Sequence, residues 1–249
     1  MSTKQRPQGP FQRENPNVSL TASIIFALGR LADAPFQYLM FREGWAVKLL
    51  AALGFIPGSA TITGNYEIPA LLIGMYAIAG VRHAYWIVFT NATHCSPASA
   101  LNIAIYNASI NLINTLVAVN ALTSPSPITY GWKQWMGIAL FAIGILLEVI
   151  SETSRKHFKK DPRNKGRIDD TGLWSIVRHP NYLGYLVWRI GLSLTAGSLT
   201  SAIILNTFQF CIFYFGGIPD ISGYMARKYD AQWAAYTKRV PSAMCPLLL

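Results

Sequence analysis

The chain has 249 residues, of which 52% are hydrophobic and only 13% charged, with a formal net charge of +10. A soluble domain of this length usually carries about twice that charged fraction. The composition therefore excludes an ordinary soluble domain and predicts a polytopic membrane protein. The positive charge does not indicate nucleic-acid binding, because eight of the 21 Lys and Arg residues lie between Arg155 and Arg178, next to a predicted spanning segment, as basic cytosolic loops do.

Residues 1–17 are polar and contain several prolines, and we expect them to form a disordered tail. A single membrane domain is predicted for residues 18–249. Cys95, Cys211 and Cys245 lie far apart and show no CxxC spacing, so the sequence predicts neither a disulfide framework nor a zinc or other metal site.

Apolar segments predict an all-α polytopic membrane bundle of about six transmembrane helices, with a range of five to seven. Four spans are expected over residues 19–41, 68–91, 100–122 and 132–150, and a hairpin of two more over residues 182–217. Residues 45–58 have too short an apolar core to cross roughly 30 Å of hydrocarbon, and we expect a re-entrant or interfacial element there. Six spans place both termini in the cytosol, in agreement with the distribution of basic residues.

Polar residues interrupt two of these spans. Arg30 and Asp33 lie three residues apart and can pair on one helical face, either as a structural pair or as the lining of a substrate cavity. Asn107, Asn111 and Asn114 follow a helical repeat, so one face of that helix is polar. That face serves either helix packing or the wall of a substrate or cofactor site.

A stripe of charges marks the end of the fourth span. Glu148, Glu152, Arg155 and Lys159 are spaced four, three and four residues apart and lie on one helical face. Glu152 can pair with Arg155, whereas Arg155 and Lys159 repel each other by a few tenths of a kcal/mol unless an anion binds between them. The alternative is a basic helix end in the cytosol.

The most polar connector covers residues 172–184, with the sequence GLWSIVRHPNYLG. Pro180 disfavours a helical conformation at His179 and can itself begin a helix. Free N–H groups at that helix start would lie beside Arg178 and His179, an arrangement suited to an anion. Trp174, Asn181 and Tyr182 complete the cluster.

These motifs carry a resemblance. The run from Glu148 through RHPNYLGY, the GIPD sequence at Gly217 to Asp220 and the ending KYDAQWAAYTKRVPSAMCP resemble the C-terminal half of the membrane steroid 5-alpha-reductase-like superfamily. Within it the chain is most similar to the DUF1295 family. That superfamily includes sterol C14 and delta-24(24(1)) reductases, which use NADPH, and isoprenylcysteine carboxyl methyltransferases, which use S-adenosylmethionine. The similarity covers residues 148–249.

The resemblance implies a cofactor pocket open to the cytosol. The cofactor-binding residues that it implies are Glu148, Glu152, Arg155, Lys159, Trp174, Arg178, His179, Asn181, Tyr182, Tyr236 and Arg239. Arg155 and Lys159 would meet the phosphates of a nicotinamide cofactor. S-adenosylmethionine carries one carboxylate and a sulfonium and needs fewer cations, so the basic loop favours NADPH.

We therefore expect a membrane oxidoreductase that transfers hydride from NADPH to a double bond of a lipophilic substrate, with Tyr182 as the proton donor. The alternatives are a methyltransferase that uses S-adenosylmethionine and a non-catalytic membrane protein of the same fold. Tyr185 and Ser222 replace acidic residues found in many relatives, and a carboxylate at either place could bind a ribose hydroxyl or a sulfonium. The resemblance implies an endoplasmic reticulum membrane for a eukaryotic chain, while the oligomeric state is left open.

Overall fold

The computed structural model describes residues 9–55, 57–62 and 66–246, and helices dominate it. The helices are α1 (Leu20–Arg42), α2 (Trp45–Ala52), α3 (Glu67–Tyr85), α4 (Pro97–Leu122), α5 (Trp132–Lys160), α6 (Pro180–Thr195), α7 (Leu199–Ile212), α8 (Ile218–Tyr229) and α9 (Ala231–Arg239). Two short strands, β1 (Phe11–Gln12) and β2 (His94–Cys95), pair in antiparallel fashion. The all-α prediction is confirmed.

Within the described residues, four helical segments are long and apolar enough to cross a bilayer: Glu67–Phe89, Pro97–Leu122, Trp132–Lys160 and Leu199–Tyr229. They confirm a polytopic membrane bundle. Two further helices pack against them: α1 carries Arg30 and Asp33 in its middle, and α6 has only 16 residues. The count of six therefore stays a prediction.

The predicted hairpin over residues 182–217 forms, but its second helix does not end at Gly217. A wide helical turn at Phe213–Gly217 joins α7 to α8, so one continuous helix extends to Tyr229. Pro219 is accommodated near the start of α8, after this turn. Proline has no backbone N–H and its ring crowds the preceding helical turn, and a wider turn at that place relieves the crowding. The short element predicted over residues 45–58 forms the eight-residue α2, too short to span; Ile56 lies outside the described residues.

Of the tail predicted to be disordered, the structure describes residues 9–17, and residues 1–8 lie outside the described residues. Phe11 pairs with Cys95 along the two strands, and its ring packs edge-on against Trp86 at 5.4 Å. Asn15 and Asn17 accept hydrogen bonds from His94. We call residues 9–17 the N-terminal strap. A single aromatic contact and a short strand pairing order a segment whose composition alone favours disorder.

The predicted pair of Arg30 and Asp33 forms inside the bundle. Their side chains are fully buried and 3.1 Å apart. Asp33 also accepts a hydrogen bond of 2.6 Å from Asn111 of α4, and Asn111 in turn accepts one from Arg189 of α6. Asn107 likewise accepts from Arg189. Two asparagines of the predicted stripe therefore bind charged groups on neighbouring helices, which supports the packing interpretation.

The tightest contact in the bundle lies between α5 and α6, where glycines face each other. A Cβ atom at Gly144 would lie 2.3 Å from the backbone nitrogen of Trp188, and one at Gly184 would lie 2.7 Å from that of Glu148. Gly137 and Gly191 make the same kind of contact two turns away. Small residues at such positions let two helix backbones touch. This contact sets the end of α5 directly beside the start of α6.

We predict that Gly184→Val destabilises the protein by about 1–3 kcal/mol, because the new side chain must separate the two backbones. Gly74→Val in α3 is the matched control, since no atom lies within 4 Å of a Cβ at that position. Thermal unfolding in detergent measures both variants. Equal melting temperatures for the two would contradict the packing argument.

Candidate active site

The residues of the predicted site converge where α5 ends and α6 begins. We call this the basic end of the bundle, because it carries the loop of residues 161–179 and the basic residues around it. The N-terminal strap, α8, α9 and residues 240–244 lie at the same end, through the contacts described below. At the opposite end, a cleft of about 680 Å³ opens between α1, α2 and α3, away from the predicted site residues.

The connector of residues 172–184 is fastened to the C-terminal tail by backbone and side-chain bonds. The backbone N–H groups of Arg178 and His179 donate to the carbonyls of Ser242 and Ala243, at 3.1 and 2.9 Å. The Arg178 guanidinium donates to the carbonyls of Val240 and Pro241. Arg178 was predicted to line the cofactor, whereas the structure uses its Nη1 to hold the tail.

Trp174 is the anchor of the connector. A short helical turn at Gly172–Ser175 buries its ring, and its indole N–H donates to the carbonyl of Ser151 at 3.1 Å. The hydroxyl of Tyr236 donates to the carbonyl of Trp174 at 2.7 Å. Burial raises the pKa of Tyr236, so the phenol keeps its proton and the bond. Arg155 lies over the outer face of the indole, with its guanidinium carbon 5.5 Å from the ring centroid.

The charged stripe at the end of α5 does not pair as predicted. Glu152 accepts a hydrogen bond of 2.8 Å from Asn181 of α6 instead of pairing with Arg155. Lys159 donates to the carbonyl of Arg167 and, at 3.0 Å, to the hydroxyl of Tyr229. Separate partners for Arg155 and Lys159 relieve their repulsion, so no shared anion is needed between them. Tertiary contacts across the loop override the spacing along the helix.

Glu148 belongs to a different environment from Glu152. Its carboxylate accepts from the indole N–H of Trp188 at 3.0 Å and lies 3.5 Å from His83 Nε2 and 3.7 Å from the Arg82 guanidinium. Arg30 donates to the other ring nitrogen of His83, so the imidazole proton lies on Nε2 and faces this carboxylate. Glu148 thus joins the buried network between the helices, and its predicted cofactor contact stays a prediction.

Arg239, predicted to close the site from the tail, forms an ion pair with Asp170 on the loop. The pair is largely exposed to solvent. Arg239 therefore fastens α9 to the loop of residues 161–179 and has a carboxylate partner already.

Tyr182 lies at the centre of the site, in the first turn of α6. Its ring stacks on Phe213 at 4.3 Å and on His179 at 5.5 Å. The charged groups that act on its hydroxyl are Arg13, Glu152 and Asp220. One cation from the strap and two carboxylates, from α5 and α8, therefore act on the same phenol.

His179 is the most deeply buried polar residue of the predicted connector, with 3% of its surface exposed. Burial, together with the positive charges of Arg178, Arg13 and Arg155, lowers its pKa to about 3. The imidazole is neutral at neutral pH, and its Nε2 atom is buried without a hydrogen-bond partner within the described structure. An unpaired buried nitrogen of this kind costs free energy unless a ligand or water satisfies it.

The structure adds site residues that the sequence did not reveal. Arg13 and Asp220 face Tyr182, although the strap was expected to be disordered and Asp220 entered only as part of the GIPD sequence. Tyr185 stacks parallel to His83 at 6.0 Å and donates to Asn107 at 3.0 Å, so the residue that replaces an acidic one joins the buried network. Arg189 belongs to the same buried network, and the sequence does show it as the single charged residue in the apolar run of residues 182–217.

Comparison with known proteins adds a family and three named relatives. The model of the family described as a protein of unknown function, DUF1295, matches residues 85–240. The chain is 31% identical over 217 residues to a probable O-methyltransferase, ustE, from Ustilaginoidea virens, covering 80% of this chain and 76% of that protein. It is 28% identical over 96 residues to the protein-S-isoprenylcysteine O-methyltransferase of Schizosaccharomyces pombe, covering 38% of this chain and 40% of that protein. The Arabidopsis thaliana protein-S-isoprenylcysteine O-methyltransferase B is 26% identical over 118 residues, covering 45% and 59%.

These relatives overturn the prediction of an NADPH-dependent reductase, since all three are named as O-methyltransferases. The proton-donor role of Tyr182 falls with that prediction. The number of basic residues in and around the loop favoured NADPH, but it does not show which of them already bind groups of the protein. In the structure Lys159 and Arg178 bind carbonyl groups, and Arg239 binds a carboxylate.

We predict that His179 makes stability depend on pH. An unfolded histidine has a pKa near 6.5, while that of folded His179 is about 3. As the pH falls below 6.5, the unfolded chain binds a proton that the folded chain does not, so stability is lost. Between pH 7 and pH 5 the wild type should lose about 2 kcal/mol more than His179→Gln, measured by unfolding in detergent. Equal pH dependence of the two proteins would contradict this.

Proposed function

The chain belongs to the DUF1295 family, and from this premise we propose that it is an integral membrane methyltransferase. It would use S-adenosylmethionine to methylate an oxygen atom of a lipophilic acceptor. The observation that carries this proposal is the similarity to a probable O-methyltransferase over four fifths of the chain. The basic end of the bundle is the proposed site of the cofactor.

The residues at the basic end suit S-adenosylmethionine because they combine both signs of charge with aromatic surfaces. The negative charges of Glu152 and Asp220 act on Tyr182, and carboxylates can bind ribose hydroxyls or lie near a positive sulfonium. The rings of Tyr182 and Phe213 offer flat faces, which attract cations and stack with bases. The free Nε2 of His179 is an unused hydrogen-bonding atom beside them.

A dinucleotide with several phosphate charges fits this surface less well. Arg178 is occupied by tail carbonyls, and the two carboxylates would repel phosphates. S-adenosylmethionine supplies a methyl group on a sulfonium, which a nucleophilic oxygen accepts. The residues of this chain would bind and orient the two reactants and exclude water. Proton donation by Tyr182 is not required by such a transfer.

The remaining expectations complete the proposal. Residues 18–249 would act as one membrane domain, with the basic end in the cytosol as the distribution of basic residues favours. The acceptor would reach the site from the membrane, in keeping with the isoprenylcysteine named for two relatives. For a eukaryotic chain, an endoplasmic reticulum membrane is the proposed location.

We predict that detergent-purified protein binds S-adenosylmethionine and does not bind NADPH, as measured by calorimetry. Glu152→Gln should raise the dissociation constant of S-adenosylmethionine about tenfold, because a carboxylate near the sulfonium or ribose is lost. Asp161→Asn is the matched control, since Asp161 lies on the same end but pairs with Arg163 on the loop surface.

A tritiated methyl group from S-adenosylmethionine should also appear in a farnesylated cysteine acceptor. Binding of neither cofactor would overturn the enzymatic proposal. Binding of NADPH alone would overturn the choice of cofactor.

A further inference from the structure

The N-terminal strap reaches the proposed site although it lies outside the residues that match the family model. That match begins at residue 85, whereas the strap covers residues 9–17. Phe11 and Gln12 pair with β2, and Phe11 packs against Trp86. Arg13 lies in the turn that follows this short strand, and its Nε is 3.7 Å from the carboxylate of Asp220 on α8. The strap thus places one guanidinium beside Tyr182.

Arg13 is incompletely satisfied in this position. Its Nε atom is buried and has no hydrogen-bond partner in the described structure. Its Asp220 contact, at 3.7 Å, is longer than a hydrogen bond. Arg13 hydrogen-bonds the side chain of Tyr182, and its positive charge also acts on His179. A guanidinium with a free donor in a half-buried position is poised to bind an acceptor oxygen.

A second unsatisfied group lies in the same place. His179 is 97% buried, and its Nε2 has no partner among the described residues. Arg155 also acts on this imidazole, while Glu152 and Asp220 supply two negative charges close by. Arg13 and Arg155 balance those two carboxylates, and Arg178 adds one positive charge. Among the charges that act on His179 and Tyr182, three are positive and two negative, which suits a ligand with a single carboxylate.

We propose that Arg13 of the N-terminal strap binds the α-carboxylate of the cofactor's amino-acid portion, so that the strap completes the cofactor site. The inference rests on the proposed function, because the carboxylate belongs to S-adenosylmethionine. The guanidinium keeps an unpaired donor for a carboxylate oxygen, and the strap holds it there through Phe11 and the pairing with β2. Cofactor binding and the docking of the strap then stabilise each other.

The test compares two probes that differ in the amino-acid portion, which carries the carboxylate. S-adenosylhomocysteine carries the amino-acid portion, and 5′-methylthioadenosine lacks it. Calorimetry on the full-length protein in detergent gives both dissociation constants. Arg13→Gln should weaken S-adenosylhomocysteine at least about tenfold and leave 5′-methylthioadenosine within about twofold, because only the first probe loses a charge-assisted bond. Arg13→Lys should recover part of the loss, since it keeps the charge without the fork.

Glu14→Gln is the matched control within the strap. Glu14 pairs with Arg227 of α8 at 2.8 Å, and both side chains are more than half exposed. Removing this pair loosens the strap without removing Arg13, and should leave the ratio of the two dissociation constants unchanged. Thermal unfolding of each variant confirms that it is folded.

Each outcome is decisive. If Arg13→Gln weakens both probes equally, Arg13 merely holds the strap and the inference is wrong. If Arg13→Gln binds both probes like the wild type, the inference is also wrong while the proposed function survives. If the wild type binds neither probe, the proposed function is wrong, and the inference that rests on it is wrong as well.

Discussion

The close contact between α5 and α6 is the constraint on which both the membrane interior and the candidate site depend. Gly144 and Gly184 allow the two backbones to touch, which fixes the register of the helices. Glu148 and Glu152, one turn apart on α5, consequently face different surroundings. Glu148 meets Trp188 and the buried network, while Glu152 meets Asn181 at the start of α6. A single packing contact therefore positions groups at two depths of the protein.

The choice of ligand at the candidate site depends on charged side chains that the protein itself neutralises only in part. Several cations of the basic end bind groups of the protein itself, as Lys159 binds the carbonyl of Arg167. The arginines whose charges act on His179 have the carboxylates Glu152 and Asp220 as neighbours around Tyr182. Such a mixture favours a ligand that carries both signs of charge, and it explains why counting basic residues overestimated the need for phosphates.

The sequence could predict features that depend on near neighbours along the chain. The spans follow from hydropathy, the start of α6 from Pro180, and the pair of Arg30 and Asp33 from a spacing of three residues. It could not predict partners that are distant in sequence. Arg178 binds backbone carbonyls more than 60 residues away. Every residue has a backbone carbonyl, so the sequence does not indicate which of them will bind an arginine. The strap is ordered by a contact between Phe11 and Trp86, which no local periodicity indicates.

The most direct test of the account is a cryo-electron microscopy structure of the protein in lipid nanodiscs with S-adenosylhomocysteine. The account predicts density for the ligand at the basic end, between Tyr182 and Glu152, with the N-terminal strap closed over it. Ligand density confined to the cleft between α1, α2 and α3 at the opposite end, or absent from the basic end at saturating concentration, would contradict it.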